Sequence, residues 1–589
     1  MESIRVYCKN TNSYYSCKPG CELIELMNEI NYTHNTGKEG EKYEILAAYV
    51  DNQLKELSFK IYMAHSIEFL DITHPDGRRT FVRSLSFLLQ KAVNDVYDNK
   101  YRLILDYSLP AGLYGELHSK DITDAEIAYF KENGTGRPIS NTPEVISVCD
   151  SDIEKIKSRM IELIKADLPF IKTKKTLQEA ISLFLEHGQI EKARLFKSLG
   201  FFFNSVYYLN GYGDTFYGPL LYSTGAIKNF DLVKYNNGFC LQSPTQLPPY
   251  NLPQVVYQEK LYDIFKENAH WCRILGAKDI GTVNIAMQKG FASKMIQIAE
   301  ALHERKYAAI ADMIYARRDR VKLVLLSGPS SSGKTTTSKR LAVQLNVLGL
   351  NPVVLEMDNY FVDREHTPKD EDGNYDFESV YAMDLELLNS QLNSLLAGEE
   401  VEIPKFNFAD GKRVFTGEKL QLGESDILIM EGIHALNPVL TSQIDDQKKF
   451  KIYASALTSL SIDENNSIST TDNRMLRRMV RDNNFRGTSA EDTILRWQSV
   501  RRGEYKNIFP YQENADVMFN SSLIYELPLL KHYAEPLLRR ISPASEAYPE
   551  SLRLLKFLSY ITEMNSKEQA GIPPTSVMRE FIGESTFSY

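Results

Sequence analysis

Cysteine is scarce: six residues in 589 (Cys8, Cys17, Cys21, Cys149, Cys240 and Cys272), all in the first half. That is too few for a disulfide-stapled scaffold, and thiols so dispersed are expected to be reduced. Cys17 and Cys21 have a CxxxC spacing, but no second Cys/His pair follows to complete a tetrahedral zinc site. Basic charge is short as well, 68 Lys and Arg against 77 Asp and Glu for a net charge of −9. This argues against a protein that coats nucleic acid, though not against a local basic site. No apolar run approaches the ~18–20 residues of a membrane span. The opening MESIRVYCKN lacks a basic-then-apolar signal pattern, so the expected location is cytoplasmic, with no membrane partner. Internal repeats and low-complexity stretches are missing too. What remains, 43% hydrophobic and 25% charged, is the composition of folded globular domains. At this length several are expected.

Residues 1–70 read as a small α+β unit. Alternation around Ile4 to Tyr7 leads to a Lys18-Pro19-Gly20 turn, a helical pattern (Leu23, Ile24, Leu26, Met27) and a strand-like run from Ile45 to Val50. A second block, 71–265, mixes helices over 84–98, 151–165 and 176–199 with aromatic strands and turns such as Tyr217-Gly218-Pro219. Residues 266–320 are helical in pattern, with an amphipathic helix over 291–318. Past 320 come KLVLLS, PVVLEM, DILIM, KFKIYA and DVMFN, short apolar runs mostly separated by helical stretches. That alternation predicts a parallel sheet covered on both faces, spanning 321–540. A tail, 541–589, is helical around 549–564 and ends in GIPPTSVMREFIG.

Gly328-Pro329-Ser330-Ser331-Ser332-Gly333-Lys334-Thr335 fits GxxxxGK[ST], after a predicted strand and before a predicted helix that continues from Thr336. Small residues let successive backbone N–H groups curl around phosphates at a helix N-terminus, whose dipole favours anions. Lys334 is expected to reach the β- and γ-phosphates of ATP, and Thr335 to ligate Mg²⁺. Asp358 follows the second strand, at the sheet edge where ligands bind in open α/β folds. There it suits a base that takes a proton from an acceptor hydroxyl, a role worth ~10²–10⁴ in rate, and it can also help hold the metal. Glu431 ends another apolar strand and is expected on the metal side. Arg474, Arg477, Arg478, Arg481 and Arg486 crowd into thirteen residues. Alone they read equally well as a solvated helix face; after a P-loop and two acids they fit a lid that neutralises the transferring phosphoryl group, with Arg478 and Arg481 the strongest candidates.

Taken together, GPSSSGKTT, MDNYF, NYDFESVYAMDLELL, IPKFNFADGKR, LIMEGIHAL and RMLRRMVRDNNFRG resemble the uridine kinase and phosphoribulokinase group over about 320–530, in order and approximate spacing. The resemblance implies phosphorylation of a hydroxyl by Mg-ATP, in uridine kinases the 5′-hydroxyl of uridine or cytidine. It makes Asp358 the base, Lys334 and Thr335 the phosphate and metal residues, and Glu431 the second metal-side acid. The acceptor segment departs from the group's PxYDFxxHxR: Phe406, Asn407, Phe408 and Gly411 replace its pattern and leave Arg413. The ribose-gripping acid of the group falls near Glu378 or Ser379. Losing a hydroxyl and an imidazole from a base pocket changes discrimination strongly.

The front half carries a resemblance of its own. Residues 1–70, with ILAAYVDNQLKELSF, resemble a ubiquitin-like TGS (β-grasp) domain, and 71–265 resemble the adjoining α+β editing domain of threonyl-tRNA synthetases. Where synthetases have CxGPHxPxTGxIK this chain has FYGPLLYSTGAIK, and where they have HSxxH it has RSLSF. Arg83, Phe87, Phe216 and Leu220 thus stand at the four positions that bind metal or activate water, which implies a module kept for binding or regulation. Front domains of this kind before a uridine kinase-like domain, with the PPTSVMREFIG tail, resemble bacterial nucleoside kinases. Three functions follow: a nucleoside kinase; a kinase for another sugar or metabolite; or an ATP-binding regulator whose front half binds RNA or an amino acid. A homo-oligomer is left open, as is the role of the tail, including that of a strap between domains.

Overall fold

The apolar runs past 320 are strands: four are largely buried, as a covered parallel sheet demands, while in the edge strand Asn351–Glu356 only Leu355 is buried. The computed structural model describes every residue except 1–2, 33, 37–41, 134–144, 246–249, 370–372, 374, 408–409, 459 and 589. Phe408 therefore lies outside the described residues. Leu323–Ser327 (β1), Asn351–Glu356 (β2), Asp426–Glu431 (β3), Lys449–Ser455 (β4) and Val517–Asn520 (β5) pair wholly in parallel, in the order β2-β3-β1-β4-β5. Val324, Leu326, Ile429 and Ile452 face one core layer with Leu341 and Leu345; Leu323, Leu325, Leu428 and Met430 face the other.

In the front half, strands Ser13–Cys17, Ile4–Cys8, Ser66–Leu70, Ala47–Val50 and Gln53–Lys55 form one mixed sheet in that order. Helix Leu23–Glu29 lays Leu23, Leu26 and Met27 onto it, among Val6, Ile67 and Phe69. None of the six cysteines forms a disulfide among the described residues. The next block holds a five-stranded sheet (Tyr101–Leu109, Gly112–Ser119, Gly238–Gln242 and Asp231–Tyr235 in order, with Val145–Ile146 also paired to Gly112–Ser119) and a three-stranded one (Ile171–Thr176, Phe203–Leu209, Tyr212–Asp214).

Three expectations shift in detail. The helix expected over 84–98 starts earlier, as α1 (Pro75–Tyr97), because His74 caps the Asp76 N–H and Pro75 takes the first turn, where a missing N–H costs nothing. The helix expected over 176–199 is two, Leu177–Glu186 and α2 (Ile190–Leu199), broken where Gly188 adopts φ +75°. Helix Glu259–Ile274 runs across the expected boundary at 265 and packs against β5.

Beyond them lie Ala292–Tyr315 (α3), Lys334–Val347 (α4), Thr470–Phe485 (α5), Ala490–Asn507 (α6) and Tyr548–Ser559 (α7). The tail is no appendage. Leu554, Phe557, Ile572, Val577, Met578 and Phe581 share one core with Met475, Met479, Ile494 and Trp497 of α5 and α6. Among the described residues no helix is long and apolar enough to cross a membrane.

Candidate functional site

Strand β1 delivers its last residue, Ser327, to a loop that closes into α4. Two glycines are dictated by shape. A Cβ on Gly328 would lie 1.9 Å from the Ala454 carbonyl oxygen, and Gly333 has φ +79°. Pro329 accepts a hydrogen bond from Lys334 Nζ at 3.3 Å, and Ser332 accepts at its carbonyl from the Ser521 hydroxyl at 2.5 Å. The Ser331 and Ser332 hydroxyls are buried, with no hydrogen-bond partner among the described residues. Buried polar atoms of this kind normally pair with something, protein or ligand.

Around Lys334 stand four acids, Glu431, Asp358, Glu378 and, from the tail, Glu580. Glu431, at the end of β3, accepts from the Thr335 hydroxyl at 2.8 Å. Burial pushes its carboxyl up to about 7, against the pull of Lys334 and Thr335. Asp358 lies two residues beyond β2 in a single 3₁₀ turn, Met357–Tyr360. Its side chain reaches solvent, yet protein walls the cleft around it, and that desolvation raises its pKa while Lys334 opposes the rise. Glu378 is pushed up to about 7 by burial and by Glu504, with Arg478 and Lys334 opposing. Burial lowers the pKa of Lys334, against the attraction of Glu431, Asp358 and Glu580. A hydroxyl with two carboxylates is the hard oxygen set that Mg²⁺ takes, so Thr335, Glu431 and Asp358 suit that ion by their chemistry.

The five arginines divide into kinds that their spacing conceals. Arg474 and Arg477 are fully buried. Arg474 pairs with Glu504 and donates to the Ser330 carbonyl at 2.9 Å; Arg477 pairs with Glu526 and donates to the Ser521 carbonyl at 2.9 Å. These two brace the loop. Arg478 instead reaches the Ser330 hydroxyl at 3.1 Å, and Arg481 lies near enough to Lys334 to depress its pKa, although both also bond Asp482. Arg486 is exposed, within electrostatic reach of Asp358.

On the acceptor side, the Phe406 N–H donates to Asn359 Oδ1 at 3.3 Å, and its ring lies 5.6 Å from Phe361, beside the turn that carries Asp358. Arg413 is turned to Asp384 at 2.8 Å. Sequence reasoning missed three residues. Glu504 accepts from the Ser330 N–H at 3.3 Å across 174 residues of chain. Glu580 accepts from the Thr336 N–H at 3.3 Å and its hydroxyl at 2.6 Å across 244 residues. His434, within the quoted LIMEGIHAL, is buried near Lys334 with neither ring nitrogen paired among the described residues, and burial followed by Lys334 lowers its pKa to about 4. His434 and Glu580 lie within the quoted LIMEGIHAL and PPTSVMREFIG runs; Glu504 had no local signal.

In the front half, Phe87, Phe216 and Leu220 share one apolar core, with Arg83 beside the loop that carries Leu220. The rings of Phe87 and Phe216 lie 5.2 Å apart, and Leu220 is buried with them. Arg83 donates to the Pro219 carbonyl at 3.1 Å, and the Ser84 hydroxyl accepts from the Leu221 N–H at 2.8 Å.

A phosphate-cradling loop, a lysine and strand-end acids at the edge of a parallel sheet define a P-loop, ATP-binding phosphotransferase. The model of the Phosphoribulokinase / Uridine kinase family matches residues 323–524. A uridine kinase of Staphylococcus aureus (strain JH9) is 30% identical over 198 residues, 33% of this chain and 86% of that protein. A uridine kinase of Staphylococcus epidermidis (strain ATCC 12228) is 28% identical over 197 residues, again 33% and 86%. The solved D-glycerate 3-kinase of Cryptococcus neoformans is 13% identical, with 36% of this chain and 89% of that one covered at a TM-score of 0.25. The chain belongs to the phosphoribulokinase/uridine kinase family, and about two thirds of it lies outside the matched region.

Proposed function

We propose that the protein transfers the γ-phosphate of ATP to a nucleoside 5′-hydroxyl, with uridine or cytidine as acceptor. The observation that carries this reading is Asp358 on the turn after β2, within electrostatic reach of Lys334. In that place its carboxylate takes the acceptor's proton as the hydroxyl oxygen attacks. The loop amides from Gly328 to Thr336, with Lys334, hold the phosphates; Arg478 and Arg481 offset charge that builds up in transfer. Bound through Thr335, Glu431 and Asp358, Mg²⁺ would supply charge neutralisation at the phosphate oxygens. Glu378, Phe406 and Arg413 border the acceptor. The front half, as a TGS-like and editing-like module with an apolar core in place of metal ligands, serves binding of RNA or an amino acid.

One specific observation favours a second reading, another sugar or metabolite as acceptor. Phe406 cannot replace the hydrogen bonds of the group's base pocket, and Arg413 is already engaged by Asp384.

Purified protein with Mg-ATP, screened against nucleosides and sugars, tests both readings. ADP release that requires uridine or cytidine is expected, falling about 10²–10⁴-fold in Asp358→Ala and at least as far in Lys334→Ala. Dependence on another acceptor would favour the second reading. Acceptor-independent hydrolysis untouched by Asp358→Ala would sink the kinase.

A further inference from the structure

The first turn of α4 is already engaged by an anion, and that anion belongs to the chain itself. Glu580 receives both the backbone N–H and the hydroxyl of Thr336. N–H groups at this end of a helix converge on anions, and in a glycine-rich loop followed by a helix they converge on phosphate. Thr336 is fully buried.

Glu580 is held there by its neighbours. Val577 lies against the loop, 2.4 Å from where a Cβ on Gly333 would sit. The Phe581 ring packs beneath the Arg477 guanidinium at 5.1 Å, and its carbonyl accepts from Asn484 at 3.3 Å. Arg579 ties the segment back through the Ile572 carbonyl at 2.9 Å and Glu584 at 2.8 Å. Val577, Met578 and Phe581 are completely buried. The segment thus touches the last loop glycine, the first turn of α4 and the arginine helix α5 at once.

We propose that residues 576–583 form an autoinhibitory strap: the Glu580 carboxylate holds the Thr336 end of the phosphate cradle and has to withdraw before a nucleotide phosphate can take that place. This rests on the proposed ATP site. A carboxylate and a phosphate cannot share the same donors, because like charges at contact distance repel in a cleft that excludes water. The apparent nucleotide affinity is then the intrinsic affinity multiplied by the fraction of molecules whose cradle is open.

The test is equilibrium binding of a fluorescent ATP analogue (methylanthraniloyl-ATP) with Mg²⁺ to the full chain as wild type, Glu580→Gln and Glu580→Ala, with Lys334→Ala introduced into each. Removing the carboxylate is expected to tighten binding about tenfold or more, with Lys334→Ala weakening it in every background. In the wild type, hydrogen exchange of the amides at 576–583 is expected to speed up on saturation with Mg-ATP, a readout that needs no variant to fold. Unchanged or weaker binding by both Glu580 variants, or unaltered exchange at saturation, overturns the strap and leaves the nucleotide site standing. If no form of the protein binds the analogue, the nucleotide site falls and the strap with it.

Discussion

Gly503 shows how a single hydrogen atom can govern a site. It lies in α6, where alanine is ordinarily favoured over glycine by about 0.5–1 kcal/mol. Here a Cβ would stand 2.3 Å from Cβ of Glu378 and 2.6 Å from its Cγ. Glu378 cannot slide away, because its carbonyl is pinned by the Asn507 amide at 2.7 Å. Gly503→Ala is therefore expected to swing the Glu378 carboxyl out of place and raise the acceptor KM about tenfold, as misplacing a buried polar partner does. Affinity for the ATP analogue should change less than about twofold. Steady-state kinetics with the best acceptor from the screen, beside a binding titration, separate the two. An unmoved KM would remove Glu378 from the acceptor site.

At the scale of elements, the five strands of the parallel sheet were legible because each is a local apolar run, four of them largely buried, and the loop because its spacing is local too. The partners of that loop were not. Glu504 and Glu580 reach it across 174 and 244 residues, and neither the helical run around Glu504 nor the PPTSVMREFIG run that holds Glu580 says which loop it meets until the fold brings it home. The same holds for the hairpin of Ser461–Asp463 and Asn466–Ser467, which reads as a polar loop. It instead docks into the front half just ahead of α5: the Leu105 N–H donates to the Glu464 carbonyl at 2.9 Å, Asn465 donates to the Leu103 carbonyl at 3.0 Å, and the Glu464 carboxyl accepts from the Glu191 N–H at 2.6 Å and the Lys192 N–H at 3.2 Å, in the first turn of α2. Burial and the nearby Glu191 push Glu464 up to about 8; burial likewise pushes Asp463 up to about 6. Groups whose folded pKa lies above the unfolded value bind more protons when folded, so their stability is full below about pH 4 and is lost as pH rises through 6 to 8. Thermal midpoints should therefore fall between pH 5 and pH 9. Glu464→Gln, which keeps an oxygen to accept from α2 and removes the titration, should flatten the upper part of that curve. Parallel curves for the two proteins would show that Glu464 does not titrate there.

Across the whole molecule, one line of alternating charge joins parts of the chain that the sequence divides. The Tyr49 hydroxyl donates to Asp76 at 2.6 Å; Arg79 bridges Asp76 and Glu550, each at 2.8 Å; Arg553 bridges Glu550 at 2.7 Å and Asp472 at 2.7 and 2.8 Å. It runs from the first sheet through α1 and the tail helix α7 to α5, so the front half, the tail and the arginine helix are bound through two guanidinium groups. Burial works against charge in this line, yet Asp472 and Glu550 hold Arg553 firmly protonated, while Arg79 and Tyr49 hold Asp76 well below the usual carboxylate range. Arg553→Ala would leave two largely buried carboxylates facing each other without the cation between them. The cost is expected near 3 kcal/mol, the lower end for a broken buried pair, because 11–17% of each side chain still meets solvent. Arg553→Lys restores the charge without the fork that grips both acids, and should recover only part of the loss. Calorimetry is the measurement. The wild type should melt in one transition, since its cores interlock through the tail, and Arg553→Ala should melt lower, with the front half separating from the kinase sheet as an earlier step. If the alanine variant melts at the wild-type temperature in a single transition, the ion line is ornamental and the apolar core alone holds the halves together.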